Sequence, residues 1–332
     1  MKSALPAVRR GLLQGACALG LIALVHPAWS QAADWPTKAV RLVVPGAAGT
    51  APDIIARVIG DKLSRIWGQP VIVENRVGAG GVIGMTAVKS AERDSHQFIF
   101  APASALTTTQ YMFRPKNLDI PKDFTGVSLV GVGPMMAAVR ADSPHNTLAD
   151  VINAARRDPN FVVATTSAYT LPHLTAAVLA KAAGVPLRSV PFTASSQSIS
   201  AVVNNDAQLV IDGIPPLDGM VKGGRLKAIA VFSEERMPKR PQLPTVVENY
   251  PGMVVNGWFG VIAPVGTAPQ AIERLNRDIN TVVGQADIVE RLDTFGVYPR
   301  PLSVAQFGEF WSQERQRWEQ VLRDLNAEPF KE

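Results

Sequence analysis

Short apolar runs and stretches with helical periodicity alternate along most of the chain. Residues 39–44 (AVRLVV) form an apolar run of strand length, and Ile55, Ile59 and Leu63 then recur at the spacing of one helix face. Because this succession repeats, we predict an α/β fold with a mostly parallel sheet. Further strands are predicted at 71–74, 98–101, 126–132, 137–139, 162–165, 209–211, 228–232 and 261–263, and a C-terminal helix is predicted with Phe307, Trp311, Trp318 and Leu322 on one face.

The first 32 residues have the pattern of a secretory signal peptide. Three basic residues, the last of them Arg10, precede an apolar run at 11–25. That run is shorter than the roughly 20 residues of a membrane-spanning helix. The small residues Ser30 and Ala32 fit a cleavage site after Ala32, with cleavage after Ser30 as the alternative. A membrane anchor is the competing interpretation of residues 1–32.

The charge balance changes once these residues are set aside. The 332-residue chain has 33 Lys and Arg against 28 Asp and Glu, with a sequence pI near 9.4. Residues 1–32 carry three basic and no acidic side chains, so the remainder holds 30 basic and 28 acidic residues, a net charge of +2. The basic pI therefore does not indicate a nucleic-acid partner. The length and the 47% hydrophobic content fit one large or two modest globular domains.

Cysteine usage points to an oxidising compartment. The single cysteine, Cys17, lies inside the N-terminal apolar run. Gln14 stands where a lipoprotein cleavage box needs a small or aliphatic residue, so lipidation of Cys17 is not expected. A mature chain without cysteine has no thiol chemistry and no thiolate metal ligands. We therefore expect the mature protein in the periplasm.

Common catalytic and cofactor motifs do not match this sequence. His96, His145 and His173 are far apart and there is no HExxH or GxSxG motif, so neither a catalytic zinc nor a serine-hydrolase elbow is predicted. A dinucleotide fingerprint starting at Gly78 would need glycine where Ile83 stands. We predict no cofactor and no metal.

Two glycine-rich loops join strands to helices, at 45–57 and at 71–84. Glycines allow close approach to the backbone, and the N–H groups at a helix start suit a carboxylate as well as a phosphate. Two such loops at one crevice would form an anion site without catalytic groups. Asp53, at the start of the first helix, has helix-end stabilisation as its alternative role.

Nine motifs carry a resemblance to one known family. They are AVRLVVP (39–45), PDIIAR (52–57), GQPVIVENRVGAGGVIG (68–84), PKDFTGVSLV (121–130), HL (173–174), VPF (190–192), GGRLKAIAV (223–231), LPTVVE (243–248) and WFGVIAPVGTAP (258–269). With these motifs, in order and at similar spacing, the chain from Trp35 to its C-terminus resembles the extracytoplasmic solute-binding receptors of tripartite tricarboxylate transporters, the Bug family.

The resemblance implies a fold and a function. It implies the two-lobed type II periplasmic binding fold, with residues 33–133 and 255–332 in one lobe and residues 134–254 in the other. A small carboxylate would bind in the cleft between lobes, and closure would create the surface read by the membrane components of the transporter. The resemblance implies a monomer without catalytic activity.

Departures from the family pattern in the first lobe bear on ligand contacts. Thr50 and Ala51 replace a glycine and a small residue, and Pro52 replaces a threonine, which removes one N–H and one hydroxyl. Anion contacts in this loop would then fall on Thr50, Ala51 and Asp53. The second loop keeps its glycines, including Gly80 and Gly81.

The second lobe departs further. Ser167 and Tyr169 stand at family glycine positions, and the loop that begins at Phe192 lacks the family lysine, which disfavours a highly charged di- or tricarboxylate. Asp212 matches an acidic family position and either accepts a ligand N–H or caps a loop. His173 is expected to pack at the start of a helix.

We therefore predict a periplasmic receptor for a small organic acid, with an aromatic or amide-bearing acid as the hypothesis for its ligand. The alternatives are a secreted α/β enzyme with Asp53 or Asp212 as a base, and a receptor for a sensor kinase. The predicted ligand-binding residues are Thr50, Ala51, Asp53, Gly80, Gly81, Ser104, Thr165, Thr166, Ser167, Tyr169, Thr170, Phe192, Ser195 and Asp212.

Overall fold

The computed structural model describes residues 35–91, 94–166, 168, 170–237 and 239–329. The predicted signal peptide, 1–32, and two predicted site residues, Ser167 and Tyr169, lie outside the described residues. In the part of the chain that is described, none of the helices combines the length and the apolar character needed to cross a membrane.

Strands and helices alternate as the hydrophobic pattern predicts, which confirms the α/β class. The strands are β1 (Val40–Val44), β2 (Val71–Asn75), β3 (Gln97–Pro102), β4 (Phe124–Arg140), β5 (Val162–Thr166), β6 (Arg188–Phe192), β7 (Leu209–Gly213), β8 (Leu226–Val231), β9 (Asn256–Pro264) and β10 (Tyr298–Pro299). The helices are α1 (Ala51–Trp67), α2 (Val82–Lys89), α3 (Ala103–Thr107), α4 (Thr109–Phe113), α5 (Ile120–Asp123), α6 (Leu148–Arg157), α7 (Leu171–Ala183), α8 (Ser195–Val203), α9 (Ile214–Lys222), α10 (Pro269–Val283), α11 (Ala286–Asp293) and α12 (Val304–Asp324), with 3-10 turns at Ala79–Gly81 and Val246–Glu248.

The long strand β4 belongs to two groups of strands. The sheet order is β2-β1-β3-β9-β4-β7-β5-β6, with β8 and β10 also paired to β4. Up to Pro134, which lies opposite Asn256, β4 pairs with β9. From Met135, which lies opposite Gly213, it pairs with β7, and β8 joins it from Met136. The two groups of strands therefore meet where β4 changes partners, between Pro134 and Met135.

The sheet is mixed, which corrects the prediction of a mostly parallel sheet. Strand β1 pairs in parallel with β2 and β3, and β5 pairs in parallel with β6 and β7. Among the described strands, β4 and β9 instead pair antiparallel with each other and with their other neighbours, β3, β7, β8 and β10. Strand β9 comes from late in the chain and inserts between β3 and β4, so the local alternation of strands and helices did not determine its direction.

Helix α1 shows how the local sequence determines an element. Pro52 occupies the first turn, where its missing N–H costs no hydrogen bond. Ile55, Ile59 and Leu63 form the buried face, as their spacing predicts. Gly68 ends the helix in the left-handed conformation, and its N–H donates to the carbonyl of Ser64.

The predicted C-terminal helix, α12, packs into two separate parts of the core. Phe307 and Trp311 lie in the cluster around β3 and β9. Trp318 and Leu322 lie in the cluster that contains α6 and α7. Between them, Glu314 accepts hydrogen bonds from the indole N–H groups of Trp258 (3.1 Å) and Trp318 (3.2 Å). The helix therefore connects the cores that flank the two groups of strands.

Candidate functional site

A cavity of about 340 Å³ lies where β4 changes partners. Its lining includes Gly133, Pro134 and Met135 of β4, and Trp258 and Phe259 of β9. The cavity therefore sits at the junction of the two groups of strands and touches both.

The first residues of five helices line this cavity. Each of these helices begins immediately or shortly after a strand, so the N-terminal ends of the helices meet at one place. The residues are Ala51 of α1, Ala103 of α3, Leu171 of α7, Ser195 of α8 and Ile214 of α9. Helix N-termini carry unpaired backbone N–H groups and a partial positive charge. Together they form an environment that favours an anion.

Four of the predicted site residues line the cavity. They are Ala51, Ser104, Ser195 and Asp212. Asp212 is the only ionisable residue among the described lining residues, which include no lysine, arginine or histidine. Backbone N–H groups at the helix starts are therefore the source of positive potential within the described lining.

Asp212 is buried and anchored by the protein. The Thr166 hydroxyl donates to one carboxylate oxygen at 2.8 Å, the Gly213 N–H donates to the other at 2.7 Å, and Ser195 also hydrogen-bonds the carboxylate. Burial raises the pKa of Asp212, and these three hydrogen bonds oppose the rise without cancelling it. Asp212 therefore stabilises the junction of β7 and α9, and it also lines the cavity.

The neighbouring hydroxyls serve the protein itself. Thr165 is fully buried, and its hydroxyl lies 3.2 Å from that of Ser189 on the adjacent strand. The Thr170 hydroxyl donates to the carbonyl of Thr166 at 2.5 Å. Among the described residues of the predicted run at 165–170, Thr166 is the one that hydrogen-bonds a residue of the cavity lining, Asp212. Ser167 and Tyr169 lie outside the described residues.

In the first glycine-rich loop, Asp53 stabilises the backbone by hydrogen bonds and an ion pair. Its buried carboxylate accepts hydrogen bonds from the N–H of Gly49 and the amide of Asn75, both at 2.9 Å, and pairs with Arg57 at 2.8 Å. Burial alone would raise the pKa of Asp53, but the bonds from Arg57, Gly49 and Asn75 outweigh it and hold the pKa below its ordinary value. Thr50 is exposed, and its hydroxyl donates to Ala47. Neither Asp53 nor Thr50 is part of the cavity lining.

The second glycine-rich loop packs closely against α4. Gly80 and Gly81 have positive φ angles of 62° and 110°, which favour glycine. A Cβ atom at Gly80 would lie 2.4 Å from the ring of Phe113, and the Gly80 carbonyl accepts a 2.8 Å hydrogen bond from Thr109. The backbone conformation favours glycine at both positions, and Phe113 also approaches Gly80 closely. Both glycines lie outside the cavity lining.

Two further predicted features lie away from the cavity. Phe192 ends β6, a strand at the edge of the sheet where a loop was expected, and it lines a separate surface depression with Ser196. Pro191 fits there because an edge strand tolerates a missing N–H. His173 is half-buried near the start of α7, where burial lowers its pKa.

Sequence reasoning missed most of the apolar lining. Met135, Leu171, Phe259 and Phe295 contribute much of it, together with the backbone at Gly296. Pro215 and Pro216 were a usable signal for the start of α9, because proline is favoured in the first turn of a helix. Phe295 and Gly296 carry no such signal, since they arrive from the distant connection that leads to β10.

The described residues hold no group of three or more His, Cys, Asp or Glu placed to bind a metal. The arrangement is therefore an apolar cavity ringed by helix N-termini, with one buried carboxyl group. Chemically, such a cavity is built to hold a small ligand by backbone hydrogen bonds and apolar contact.

The comparisons with known proteins agree with this geometry. A family model described as "Tripartite tricarboxylate transporter family receptor" matches residues 55–327. A UPF0065 protein in the tcbD-tcbE intergenic region of Pseudomonas sp. (strain P51) is 33% identical over 298 residues, which cover 88% of each chain. The structure of R. palustris Rpa4515 with adipate matches with a TM-score of 0.77 and 29% identity, covering 90% of this chain and 100% of that one. MatC from Rhodopseudomonas palustris with bound malate matches with a TM-score of 0.70 and 29% identity, covering 86% and 99%.

Proposed function

The chain belongs to the tripartite tricarboxylate transporter receptor family, and on that premise we propose that it captures a small organic acid in the cavity described above. As a member, it is a periplasmic solute-binding receptor with the two-lobed fold of that group, rather than an enzyme. The convergence of five helix N-termini on one cavity is the observation that carries the proposal. A carboxylate would accept hydrogen bonds, without a cationic side chain, from the N–H groups of their first residues, because Pro52, Pro172 and Pro215 at the second positions have no N–H.

We further propose that the ligand has an apolar body and few charges. Most of the lining is apolar, and its one ionisable side chain is the carboxyl of Asp212. A tricarboxylate such as citrate would bring more negative charge than the backbone groups favour, and it would meet the Asp212 carboxyl as well. The two matched structures named above contain adipate and malate, both small carboxylates. An aromatic acid, one form of the ligand hypothesis made from the sequence, would meet the rings of Phe259 and Phe295 in the lining.

The wider setting follows from family membership and the sequence. We propose that residues 1–32 are removed after export, that the receptor is a monomer, and that it delivers its ligand to membrane components of a tripartite transporter. The boundaries between lobes would fall at 133–134 and 254–255, next to the change of partners in β4. The intact mass of protein purified from periplasm tests the cleavage, because a chain beginning at Ala33 has a defined mass.

The ligand proposal is tested by thermal unfolding of the mature protein, refolded from denaturant to remove bound ligand, against benzoate, adipate, malate and citrate. A ligand at a hundred times its Kd adds about 2.7 kcal/mol of stability. We expect a saturable rise in Tm with benzoate or adipate and a smaller one with citrate. Tighter binding of citrate would contradict the proposed ligand class, and the ligand should be recovered chemically unchanged.

A pair of variants in one loop tests the location. Ala51→Glu places a carboxylate at the cavity lining, so it should abolish the ligand-dependent rise in Tm. Ala48→Glu adds the same charge at an exposed position outside the lining and should leave the rise intact. Equal binding by both variants would show that the ligand binds elsewhere.

A further inference from the structure

A second cavity, of about 300 Å³, lies between α4 and α12, and we call it the α12 pocket. Its lining includes Thr107, Gln110 and Arg114 from the α3–α4 region, and Arg315 and Glu319 from α12. None of these residues lines the cavity proposed for the organic acid. The α12 pocket therefore needs its own explanation.

Arg315 is held in place but lacks a partner for one of its donors. Its guanidinium lies over the ring of Trp311, with 5.2 Å to the ring centroid, and the Trp311 N–H is fixed by a 2.7 Å bond to the Leu106 carbonyl. The Nε atom of Arg315 is buried and has no hydrogen-bond partner among the described residues. Burial lowers the pKa of Arg315, with the charges of Asp119 and Glu319 opposing that change. The Nε atom is closed off from solvent, whereas the terminal nitrogens of Arg315 are not, so a ligand in the pocket would meet the terminal N–H groups.

Arg114 supplies a second positive charge to the same pocket. It lies over the Tyr111 ring at 5.8 Å, and across the described chain no hydrogen bond or ion pair engages its guanidinium. Its backbone is left-handed, with φ 42°, and ends α4.

The acidic lining residue pairs with an arginine outside the pocket lining. The Glu319 carboxylate is already paired with Arg323 at 2.6 Å. Gln110 uses its amide oxygen to accept the Ile120 N–H at 3.0 Å, which leaves its amide nitrogen as a donor. The pocket therefore offers two guanidinium groups and one amide donor, with its single carboxylate engaged elsewhere.

We infer that the α12 pocket binds a carboxylate group, seated on the guanidinium of Arg315 with Arg114 closing over it. A planar guanidinium presents its two terminal N–H groups as a parallel pair, which matches the two oxygens of a carboxylate. Stacking on Trp311 already fixes the plane of Arg315, so little side-chain freedom is lost on binding. The carboxylate comes either from a free small acid or from an acidic side chain of another protein.

The Nε–H resonance of Arg315 reports on a ligand bound to the same guanidinium. In ¹⁵N-labelled mature protein, we would titrate sodium acetate against sodium chloride at equal ionic strength, and assign the resonance by its loss in Arg315→Lys. We expect a saturable shift with acetate that chloride does not produce. The same titration in the Ala51→Glu variant separates this pocket from the organic-acid cavity, and the shift should persist there.

Matched variants test the geometry. Arg114→Gln, at an exposed position, should weaken acetate binding at least threefold, whereas Arg157→Gln, an exposed arginine on α6, should not change it. Arg315→Lys keeps the charge but removes the paired donors, so its binding, followed through backbone amides near Gln110, should fall at least tenfold. Absence of an acetate-specific shift at Arg315, or unchanged binding by Arg315→Lys, would overturn the inference.

A short acidic peptide with blocked termini, titrated in parallel, distinguishes the two sources. Affinity tenfold above that of acetate assigns the carboxylate to a protein side chain, and equal affinity assigns it to a free acid. Either result supports the site.

Discussion

Two buried aspartates show how surroundings decide the behaviour of one residue type. Both carboxylates accept three protein hydrogen bonds, but Asp53 also faces the positive charge of Arg57, whereas Asp212 has no cation among its partners. The pKa of Asp53 is therefore lowered and that of Asp212 is raised. The sequence predicted both as site residues, but local sequence does not reveal which carboxyl will have a cation beside it after folding.

Loss of the Asp53 charge should destabilise the fold. Asp53→Asn replaces one acceptor oxygen with a donor facing Asn75 and Arg57, and an unsatisfied buried group costs about 1–3 kcal/mol. The matched control is Asp61→Asn in the same helix, because Asp61 pairs with Arg65 at the same i,i+4 spacing but is 59% exposed. We expect that control to change the unfolding free energy by less than about 1 kcal/mol. Urea denaturation measures both, and equal effects would contradict the buried role of Asp53.

The pH dependence of these effects has a defined sign. The stabilisation from Asp53 is present above the ordinary pKa of aspartate and is lost as pH falls through the lowered folded-state pKa. For Asp212, the folded state binds the proton more tightly than the unfolded state. Its contribution is therefore largest below the ordinary aspartate pKa and is lost as pH rises through the raised one.

The direction of this pH dependence predicts how the unfolding free energy of Asp212→Asn differs from that of the parent protein. Asparagine does not titrate, so subtracting the variant's unfolding free energy from that of the parent isolates the titration of Asp212. The difference should fall as pH rises from the ordinary aspartate pKa to the raised one. Denaturant unfolding of both proteins at a series of pH values measures it, and a difference that rises with pH would show that the carboxyl is stabilised in its charged form.

At the scale of elements, the sequence predicted the features that depend on residues close together in the chain, namely helix faces and most strand positions. The buried face of α1 and most strands follow from apolar spacing over a few residues. Strand β4 was predicted as two strands, because Gly133 and Pro134 interrupt the apolar pattern. The chain continues through them since β9 pairs up to Pro134 and β7 pairs from Met135. Such pairings join distant parts of the chain, so no local pattern records them.

The pairing of β10 with β4 depends on a glycine. Gly131 lies opposite Pro299, and a Cβ atom there would lie 2.6 Å from the carbonyl oxygen of Tyr298. Gly131→Ala should therefore push β10 away and destabilise the protein by about 1–3 kcal/mol. Gly219→Ala on α9 is the control: nothing lies within 4 Å of the added atom, and alanine favours the helix by up to about 1 kcal/mol. Thermal unfolding should show opposite changes, and stabilisation by Gly131→Ala would mean that β10 does not pack as closely as described.

At the scale of the molecule, the contacts between the two groups of strands are of unequal strength. Two ion pairs, Lys181 with Asp324 and Lys239 with Asp293, join the predicted lobes at 2.7 Å each. Both lysines are more than half exposed, so each pair contributes at most about 1 kcal/mol. Helix α12 contributes far more, because Trp318 and Leu322 are buried in the core next to α6 and α7. Apolar packing by α12 therefore stabilises the contact between the predicted lobes more than these ion pairs do.

Because α12 shares residues with both cores, the two predicted lobes should unfold together. Trp318→Ala removes a side chain that is 1% exposed, and such truncations cost about 3–5 kcal/mol. We expect calorimetry to show one transition, shifted to lower temperature, with the calorimetric and van't Hoff enthalpies still equal. Trp318→Phe keeps most of the ring volume and should cost less. If Trp318→Ala instead produced two resolved transitions, the lobes would be independently stable, and α12 would couple them without being needed for either to fold.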